Sequence, residues 1–325
     1  MLKALRFFFF GVMLFAGQSL ASQSYFPSAQ GTWDTISALN AGFCPSEWDS
    51  VEAYLQRSNT KGFMILKSGR IVYESYFDGY RADSAWYWAS AGKTLVAYLV
   101  GRAQEDGRLD IQDPSATYLG SGWTSLPPNK EQLITVEDQL KMTTGLDYTV
   151  PDLDCTADTC LLYRADAGTQ WYYHNAPYLL LHDVLEQAEG LSMNQLTRPE
   201  INQIGMNGLW IGTLFFSSTR NMARFGHLLL NEGQWNGQRL LSDTAYFRAM
   251  VRPSQGLNPA YGYLTWLNGQ NSFMRPGFAS SFPGYAIPAA PANLYLAAGA
   301  NEQRIYVWPS QDIVVVRQGD AAGGF

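Results

Sequence analysis

The chain has 325 residues, of which 46% are hydrophobic and 14% aromatic, and this composition is sufficient to bury a large core. A formal net charge of −6 and the absence of a basic run argue against nucleic acid or an anionic membrane as the main partner. The sequence contains no internal repeat or low-complexity segment, and no change of composition marks a linker between domains.

The N-terminus has the pattern of a secretory signal. Lys3 and Arg6 precede an apolar run over residues 7–16, and Ser19-Leu20-Ala21 fits a small-x-small cleavage site. The run is short for a bilayer span, and no cysteine follows the cleavage site to carry a lipid. We therefore expect residues 1–21 to be a removed signal peptide. The protein is then secreted or periplasmic, without a stable membrane anchor; a retained anchor is the alternative.

Hydrophobic periodicity and turn residues place the predicted elements along the chain. Ser68-Gly69 marks the turn of a hairpin, and Thr135 with Asp138 forms a helix-capping pair. Gly107 and Gly190 each end a helix. In chain order the elements are two strands over 62–77, helices over 90–107, 136–142, 175–190 and 217–233, and strands over 261–268, 293–299, 303–309 and 312–318.

Strands at both ends of the chain with helices between them predict one sheet built from distant segments. Within a single domain over 22–325, we expect a sheet lobe from about 45–110 and 255–325. The helical lobe is expected over about 111–254. A functional site would most naturally lie between the two lobes.

The segment "WASAGKTLV", residues 88–96, fits two different motifs. Gly92-Lys93-Thr94 has the letters that end a phosphate-binding P-loop, but that loop needs a glycine five residues earlier, where Tyr87 stands. Ser90 and Lys93 instead form a Ser-x-x-Lys pair on the first turn of a helix. A lysine in a dry pocket can accept the serine proton, and the helix N-terminus offers the Ser90 N–H to an oxyanion.

Two competing nucleophile assignments are weaker. A second Ser-x-x-Lys pair, Ser58 with Lys61, lies in what we expect to be a solvated loop. A Ser-His-Asp triad would need one of His174, His182 and His227, but the chain lacks the Gly-x-Ser-x-Gly turn of many such enzymes.

A Tyr-x-Asn motif, Tyr173-His174-Asn175, opens the predicted helix 175–190. A tyrosine beside an ammonium group can relay a proton, and the Asn175 amide can serve both the lysine and a substrate carbonyl. Without the Ser-x-x-Lys pair, the same segment fits an aromatic core segment with an asparagine N-cap.

The cysteines are consistent with an oxidising compartment. Cys155 and Cys160 lie close together in a polar loop and could close a small disulfide ring, which leaves Cys44 as the odd thiol. No histidine has suitable spacing to this pair for a metal site.

The combined pattern resembles the class C β-lactamase and penicillin-binding-protein-like serine hydrolases, and within them the esterase and 6-aminohexanoate-dimer hydrolase branch. The resemblance extends from "GFMILKSGRIVYESYF" to "AAGANEQRIYVWPSQDIVVVR". It implies an α+β fold, with an antiparallel sheet flanked by helices and a mostly helical lobe. It also implies Ser90 as nucleophile, Lys93 as base and Tyr173 as proton relay, and it implies neither a cofactor nor a metal.

β-Lactamases of this type carry a third motif, Lys-Thr-Gly, on a late strand. Lys67-Ser68-Gly69 has similar letters but precedes the nucleophile, so we interpret it as a decoy. Ala297-Ala298-Gly299 has the right place, and Gly299 with the Ala300 N–H is expected to border the substrate and complete an oxyanion hole with the Ser90 N–H. The motif lysine is absent, and Glu302 stands where relatives often have glycine.

The sequence therefore predicts a secreted serine hydrolase that acts on a small ester or amide. A β-lactamase or D-alanyl peptidase is the first alternative, with Arg275 or Arg304 as a replacement cation if the fold brings either into the cleft. An inactive relative that binds an envelope component is the second alternative.

Overall fold

The computed structural model describes residues 24–323. The predicted signal peptide, residues 1–21, lies outside the described residues. Over the described range, none of the helices combines the length and the apolar character that a membrane crossing requires. The helices are α1 (Trp48–Arg57), α2 (Gly92–Glu105), α3 (Ala116–Leu119), α4 (Pro128–Glu131), α5 (Val136–Lys141), α6 (Asn175–Glu189), α7 (Met193–Asn202), α8 (Thr219–Leu230) and α9 (Thr244–Met250).

The strands form one large antiparallel sheet and three small ones. They are β1 (Thr60–Lys67), β2 (Arg70–Tyr76), β3 (Ala85–Tyr87), β4 (Leu209–Ile211), β5 (Leu214–Ser218), β6 (Gln234–Trp235), β7 (Gln238–Arg239), β8 (Trp266–Leu267), β9 (Ser272–Phe273), β10 (Phe282–Pro283), β11 (Tyr295–Gly299), β12 (Gln303–Trp308) and β13 (Ile313–Gly319). The large sheet has the order β2-β1-β13-β12-β11-β8, and a three-stranded sheet has the order β3-β5-β4. Strands from both ends of the chain thus meet in one sheet, as the sequence predicted, while the lobe boundaries near 110 and 255 stay a prediction.

Helix α8 covers one face of the large sheet. Its N-cap is Ser218, whose hydroxyl accepts the Asn221 backbone N–H at 3.3 Å. Gly226 allows the close approach, because a Cβ there would lie 2.6 Å from side-chain atoms of Ile305 and Val314. The backbone of α8 therefore packs directly against side chains of the sheet, and a larger residue at position 226 would push the helix and the sheet apart.

Helix α2, predicted from the sequence over 90–107, is buried on all sides along most of its length. All residues from 92 to 101 are buried, including Lys93. The helix packs between strand β11 and helices α6 and α9, so apolar neighbours surround it. A surface helix has one apolar stripe, but an interior helix must be apolar on every side, and Lys93 is therefore an exception that calls for a function.

The predicted strand over 261–268 is wrong in extent, since only Trp266–Leu267 is strand. Leu264 has a left-handed φ of 48°, which turns the chain so that Tyr261 pairs with Trp266 in an isolated antiparallel bridge. The short β3-β5-β4 sheet was not predicted, because strands of three to five residues carry little periodicity.

Candidate active site

The turn that carries Ser90 is anchored to strand β5 through Trp88. Strand β3 leads into a 3-10 turn, Ala89–Ala91, which continues directly into α2. Trp88 is fully buried; its indole N–H donates to Ser217 Oγ at 2.8 Å, and its backbone N–H donates to the Phe215 carbonyl at 2.8 Å. Ala89 has a left-handed φ of 47°, a costly conformation for alanine that is often found beside functional residues.

Lys93 faces Ser90 inside the protein. Its Nζ donates a hydrogen bond to Ser90 Oγ at 3.3 Å, and its side chain is 3% exposed. Burial lowers the pKa of Lys93 to about 7, although the negative charge of Asp154 raises it in part. At neutral pH a substantial fraction of Lys93 is therefore uncharged and able to accept the serine proton.

Tyr173 completes the group around Ser90. It lies in the buried segment that precedes α6. Burial raises the pKa of Tyr173, and a hydrogen bond with Ser90 lowers it in part, so the phenol is neutral at pH 7 and can pass a proton. The Lys93 Nζ lies 5.3 Å from the centre of the Tyr173 ring. Trp266, half-buried, stacks on Tyr173 with ring centres 5.6 Å apart and forms an apolar wall beside it.

Asn175 is the first residue of α6, where the sequence analysis expected its amide to face both Lys93 and the substrate. Its Nδ2 instead donates to Asp154 Oδ1 at 2.7 Å. Its Oδ1 is buried and accepts no hydrogen bond within residues 24–323. Asp154 was not predicted, because it contacts the site only through the folding of a separate loop.

That loop carries the two cysteines. Cys155 and Cys160 are joined by a disulfide in the structure, and Cys44 is a free, exposed thiol. The loop contacts α6, since the Ala176 N–H donates to the Leu153 carbonyl at 2.8 Å. The described residues include no group of three or more His, Cys, Asp or Glu side chains that could hold a metal ion.

The end of strand β11 touches the nucleophile turn. A Cβ at Gly299 would lie 2.3 Å from the Trp88 carbonyl oxygen and 2.9 Å from the Ala91 nitrogen. Only glycine fits at that separation, and its position brings the exposed Ala300 next to the turn. This contact agrees with the predicted placement of the third motif, whereas the oxyanion roles of the Ser90 and Ala300 N–H groups stay a prediction.

Residues beyond Gly299 form a tightly held loop. Asn301 and Glu302 both have left-handed φ angles, 57° and 55°. Arg317 donates to the carbonyls of both residues at 3.1 Å, and Glu302 Oε2 accepts the Ala322 N–H at 2.8 Å. The Glu302 carboxylate is thus turned toward the C-terminal segment, and the replacement of glycine does not leave the loop loose.

The two arginines considered as replacement cations lie in different places. Arg304 is paired across the sheet with Ala298, and it donates to the Gly299 and Gln303 carbonyls. Arg275 instead lies over the Phe278 and Phe282 rings, 4.3 and 4.7 Å from their centres. Arg304 is therefore the cation beside the third motif.

The alternative Ser-x-x-Lys pair has structural contacts. Ser58 is not in a solvated loop as expected; it is 1% exposed, and its hydroxyl donates to the Leu55 carbonyl at 3.0 Å. Lys61 forms an ion pair with Asp320 at 3.3 Å. Lys67 ends β1, and Ser68-Gly69 forms the turn to β2, so this tripeptide lies at a hairpin turn as the decoy interpretation predicted.

None of the three histidines has a hydrogen bond to Ser90 among the described residues. His182 shares a hydrogen bond with the Tyr178 hydroxyl at 3.2 Å, and His227 with the Tyr25 carbonyl at 2.9 Å. Burial lowers the pKa of each to about 4. His174, beside Tyr173, is also buried, and neither of its ring nitrogens has a hydrogen-bond partner in residues 24–323.

Comparison with known sequences gives a family match and a relative. The model of the family described as Beta-lactamase matches residues 50–317. A 6-aminohexanoate-dimer hydrolase from Paenarthrobacter ureafaciens is 22% identical over 224 residues, covering 59% of this chain and 57% of that protein. The match thus spans little more than half the length of that relative.

Solved structures share the fold. One from Bacillus anthracis, provisionally named a 6-aminohexanoate-dimer hydrolase, has a TM-score of 0.69 at 19% identity and covers 93% of this chain and 85% of its own. A penicillin-binding protein homologue from Caulobacter crescentus has a TM-score of 0.63 at 15% identity, covering 85% and 92%. These similarities confirm the predicted α+β fold, with its antiparallel sheet and flanking helices.

Proposed function

Since the chain belongs to the Beta-lactamase family, whose members are serine hydrolases, we propose that it cleaves an uncharged carboxylic ester or amide through an acyl-enzyme on Ser90. The observation that carries this proposal is the contact between Lys93 Nζ and Ser90 Oγ at 3.3 Å, made by a lysine whose pKa burial lowers to about 7. A base and a nucleophile within hydrogen-bond reach form the minimal unit of covalent acyl transfer.

In the proposed reaction, neutral Lys93 takes the proton from Ser90 Oγ as the oxygen attacks the substrate carbonyl carbon. The carbonyl oxygen becomes an oxyanion, which the Ser90 and Ala300 N–H groups stabilise. Collapse of this intermediate breaks the bond to the leaving group, and that group receives a proton from Tyr173, which Lys93 replenishes. Water then attacks the acyl-enzyme by the same route in reverse and regenerates Ser90.

The walls of the site support an uncharged substrate. Ala297-Ala298-Gly299 provides no cationic side chain for a carboxylate, and the Trp266 ring beside Tyr173 provides apolar surface. The relative named 6-aminohexanoate-dimer hydrolase supports a linear amide as the bond that is cleaved. Such a dimer carries a terminal carboxylate, so the absence of charge on the substrate rests on the walls of the site alone. A screen of short esters and small amides would identify the acyl and leaving groups.

A β-lactamase or D-alanyl peptidase is the second candidate, and Arg304 is the observation that favours it. Its guanidinium donates to the Gly299 carbonyl, at the end of the third motif. We rank this candidate lower, because the guanidinium already donates to the carbonyls of Gly299 and Gln303.

A fluorophosphonate probe tests the proposed function. Wild-type protein and Ser58→Ala should be labelled covalently, whereas folded Ser90→Ala should not. Failure to label folded wild-type protein would overturn the proposal and favour an envelope-binding role.

We also propose that residues 1–21 direct secretion and are then removed. The N-terminal pattern supports this proposal, as does the Cys155–Cys160 disulfide, which is a bond typical of oxidising compartments. N-terminal sequencing of the protein recovered from the periplasm or medium should begin at Ser22, and recovery of an intact N-terminus would contradict the proposal.

A further inference from the structure

The segment immediately before the Cys155–Cys160 disulfide ring, Leu153-Asp154, is attached to the start of α6 by two hydrogen bonds. One joins the Ala176 N–H to the Leu153 carbonyl at 2.8 Å, and the other joins Asn175 Nδ2 to Asp154 Oδ1 at 2.7 Å. A turn fixes the loop further, since the Asp154 N–H donates to Asp152 Oδ1 at 2.9 Å. The backbone that carries the Asp154 carboxylate is therefore fixed by the contacts of Asp152 and Leu153.

An asparagine amide has two ends that differ chemically, and its neighbours decide which end points where. A carboxylate accepts hydrogen bonds and does not donate them, so Asp154 selects the NH₂ end of Asn175. The carbonyl end then points away from the loop. That Oδ1 atom is buried and has no hydrogen-bond partner among residues 24–323, although a buried acceptor left unpaired costs free energy.

We propose that Asp154 is a positioning residue, which holds the Asn175 amide with its carbonyl oxygen free to accept a hydrogen bond from a substrate N–H. The proposal rests on the acyl-transfer function above and assigns the disulfide a part in it, because Asp154 immediately precedes Cys155. Asn175 then acts as an acceptor in the site, and its NH₂ is not available to a substrate carbonyl.

Asp154 also acts on Lys93 through its charge. The groups that face Lys93 are Ser90, Tyr173, Tyr178 and His182, all neutral at pH 7, while Asp154 adds a negative charge that raises the pKa of Lys93. Loss of that charge should lower the pKa of Lys93, and the acidic limb of the kcat/KM profile should move to lower pH. Because Asp154 is exposed, the expected movement is a few tenths of a pH unit.

Two substitutions separate the charge from the hydrogen bond. Asp154→Asn removes the charge but keeps an oxygen that can accept from Asn175; we expect the acidic limb to move and kcat at the plateau to stay near wild type. Asp154→Ala removes both, so the limb should move equally, and kcat should also fall about tenfold as the Asn175 amide loses its fixed orientation.

A double Cys155→Ser, Cys160→Ser variant should have a lower kcat than wild type, as Asp154→Ala should, because loss of the disulfide releases the loop. Asp158→Asn is the matched control: it lies in the same loop, its carboxylate accepts the Thr159 N–H, and its profile should match wild type. Thermal melts establish that each variant is folded.

An unmoved acidic limb in Asp154→Asn together with a wild-type plateau kcat in Asp154→Ala would overturn the proposal. A Ser90→Ala variant as active as wild type would instead overturn the proposed function, so the two failures are distinguishable.

Discussion

The Nζ of Lys93 lies 3.8 Å from the centre of the Tyr178 ring, so the lysine that faces Ser90 rests on an aromatic surface in the interior of the protein. The ring excludes water from one side of the amine, and its π-face attracts the ammonium form. Desolvation outweighs that attraction, because burial lowers the pKa of Lys93 to about 7. Tyr178 is itself buried, and its hydroxyl is directed to His182. This environment is consistent with a lysine that loses its proton near neutral pH.

The first prediction concerns pH. Because Lys93 must be neutral to take the serine proton, kcat/KM should rise with pH through the lowered pKa of about 7 and then level off. Initial rates with a nitrophenyl ester across pH 5–9, corrected for spontaneous hydrolysis, measure this. A flat profile through pH 7 would show that Lys93 is not the base.

The second prediction concerns stability. The difference between the ordinary lysine pKa of 10.5 and about 7 corresponds to a burial penalty on the order of 5 kcal/mol. The unfolded chain binds the extra proton between these pH values. The penalty is therefore full below pH 7 and disappears as pH rises toward 10.5.

Lys93→Met keeps an apolar chain of similar length and removes the amine. It should abolish turnover and raise the free energy of unfolding at pH 7, with a gain that shrinks at pH 10. Urea denaturation of both proteins at the two pH values checks the sign. A less stable Lys93→Met at pH 7 would contradict the assumed penalty.

The third prediction separates the two Ser-x-x-Lys serines. Ser90→Ala should lower kcat by on the order of a thousandfold or more, since nucleophile and base act as a unit. Ser58→Ala should keep its activity per folded molecule but lose about 1 kcal/mol of stability, because its hydroxyl makes a buried hydrogen bond to Leu55. Equal loss of activity in the two folded variants would refute the assignment of Ser90.

The fourth prediction concerns the contact of Gly299 with the nucleophile turn. Gly299→Ala introduces a Cβ against the Trp88 carbonyl, so it should push β11 from the turn, reduce kcat strongly and cost about 1–3 kcal/mol of stability. Gly256→Ala is the control, since its Cβ would meet open space and its φ is not left-handed. Similar kinetics in the two variants would mean that the close approach has no role.

The fifth prediction concerns substrate charge. A carboxylate near Ala297 would lack a free cation, and an incompletely paired charge costs on the order of a hundredfold in rate. We expect kcat/KM for p-nitrophenyl butyrate to exceed that for a chromogenic cephalosporin by this order. Arg304→Gln provides a further arm: selective loss of the cephalosporin activity would show that Arg304 binds the carboxylate, and the β-lactamase assignment would then lead.

Local sequence was sufficient to predict the site residues that are identified by their spacing within a motif. Ser90 and Lys93 are three apart on a helical turn, and Tyr173 is linked to them by a motif, so the sequence could nominate all three. The third motif was found by its place in the chain, and Gly299 does contact the nucleophile turn.

Features that depend on tertiary packing were missed. Asp154 reaches Asn175 from a loop 21 residues earlier, and nothing in its sequence neighbourhood indicates that contact. Tyr178 fits the pattern of a core aromatic, although its place five residues after Tyr173 could have suggested a shared surface. The burial of α2 on all sides follows from its position between the sheet and α6, which periodicity along one helix cannot reveal.

The order of strands in the large sheet also determines when the sheet can form. Strand β13, Ile313–Gly319, pairs with β1 on one side and β12 on the other, so a late segment joins an early one in the middle of the sheet. During synthesis, the β1–β2 hairpin must wait for more than two hundred residues before β13 exists to pair with β1, and such non-local pairing is slow. A chain that stopped at Asp312 would lose a central strand, and the β1–β2 hairpin would be separated from the strands that form one wall of the site.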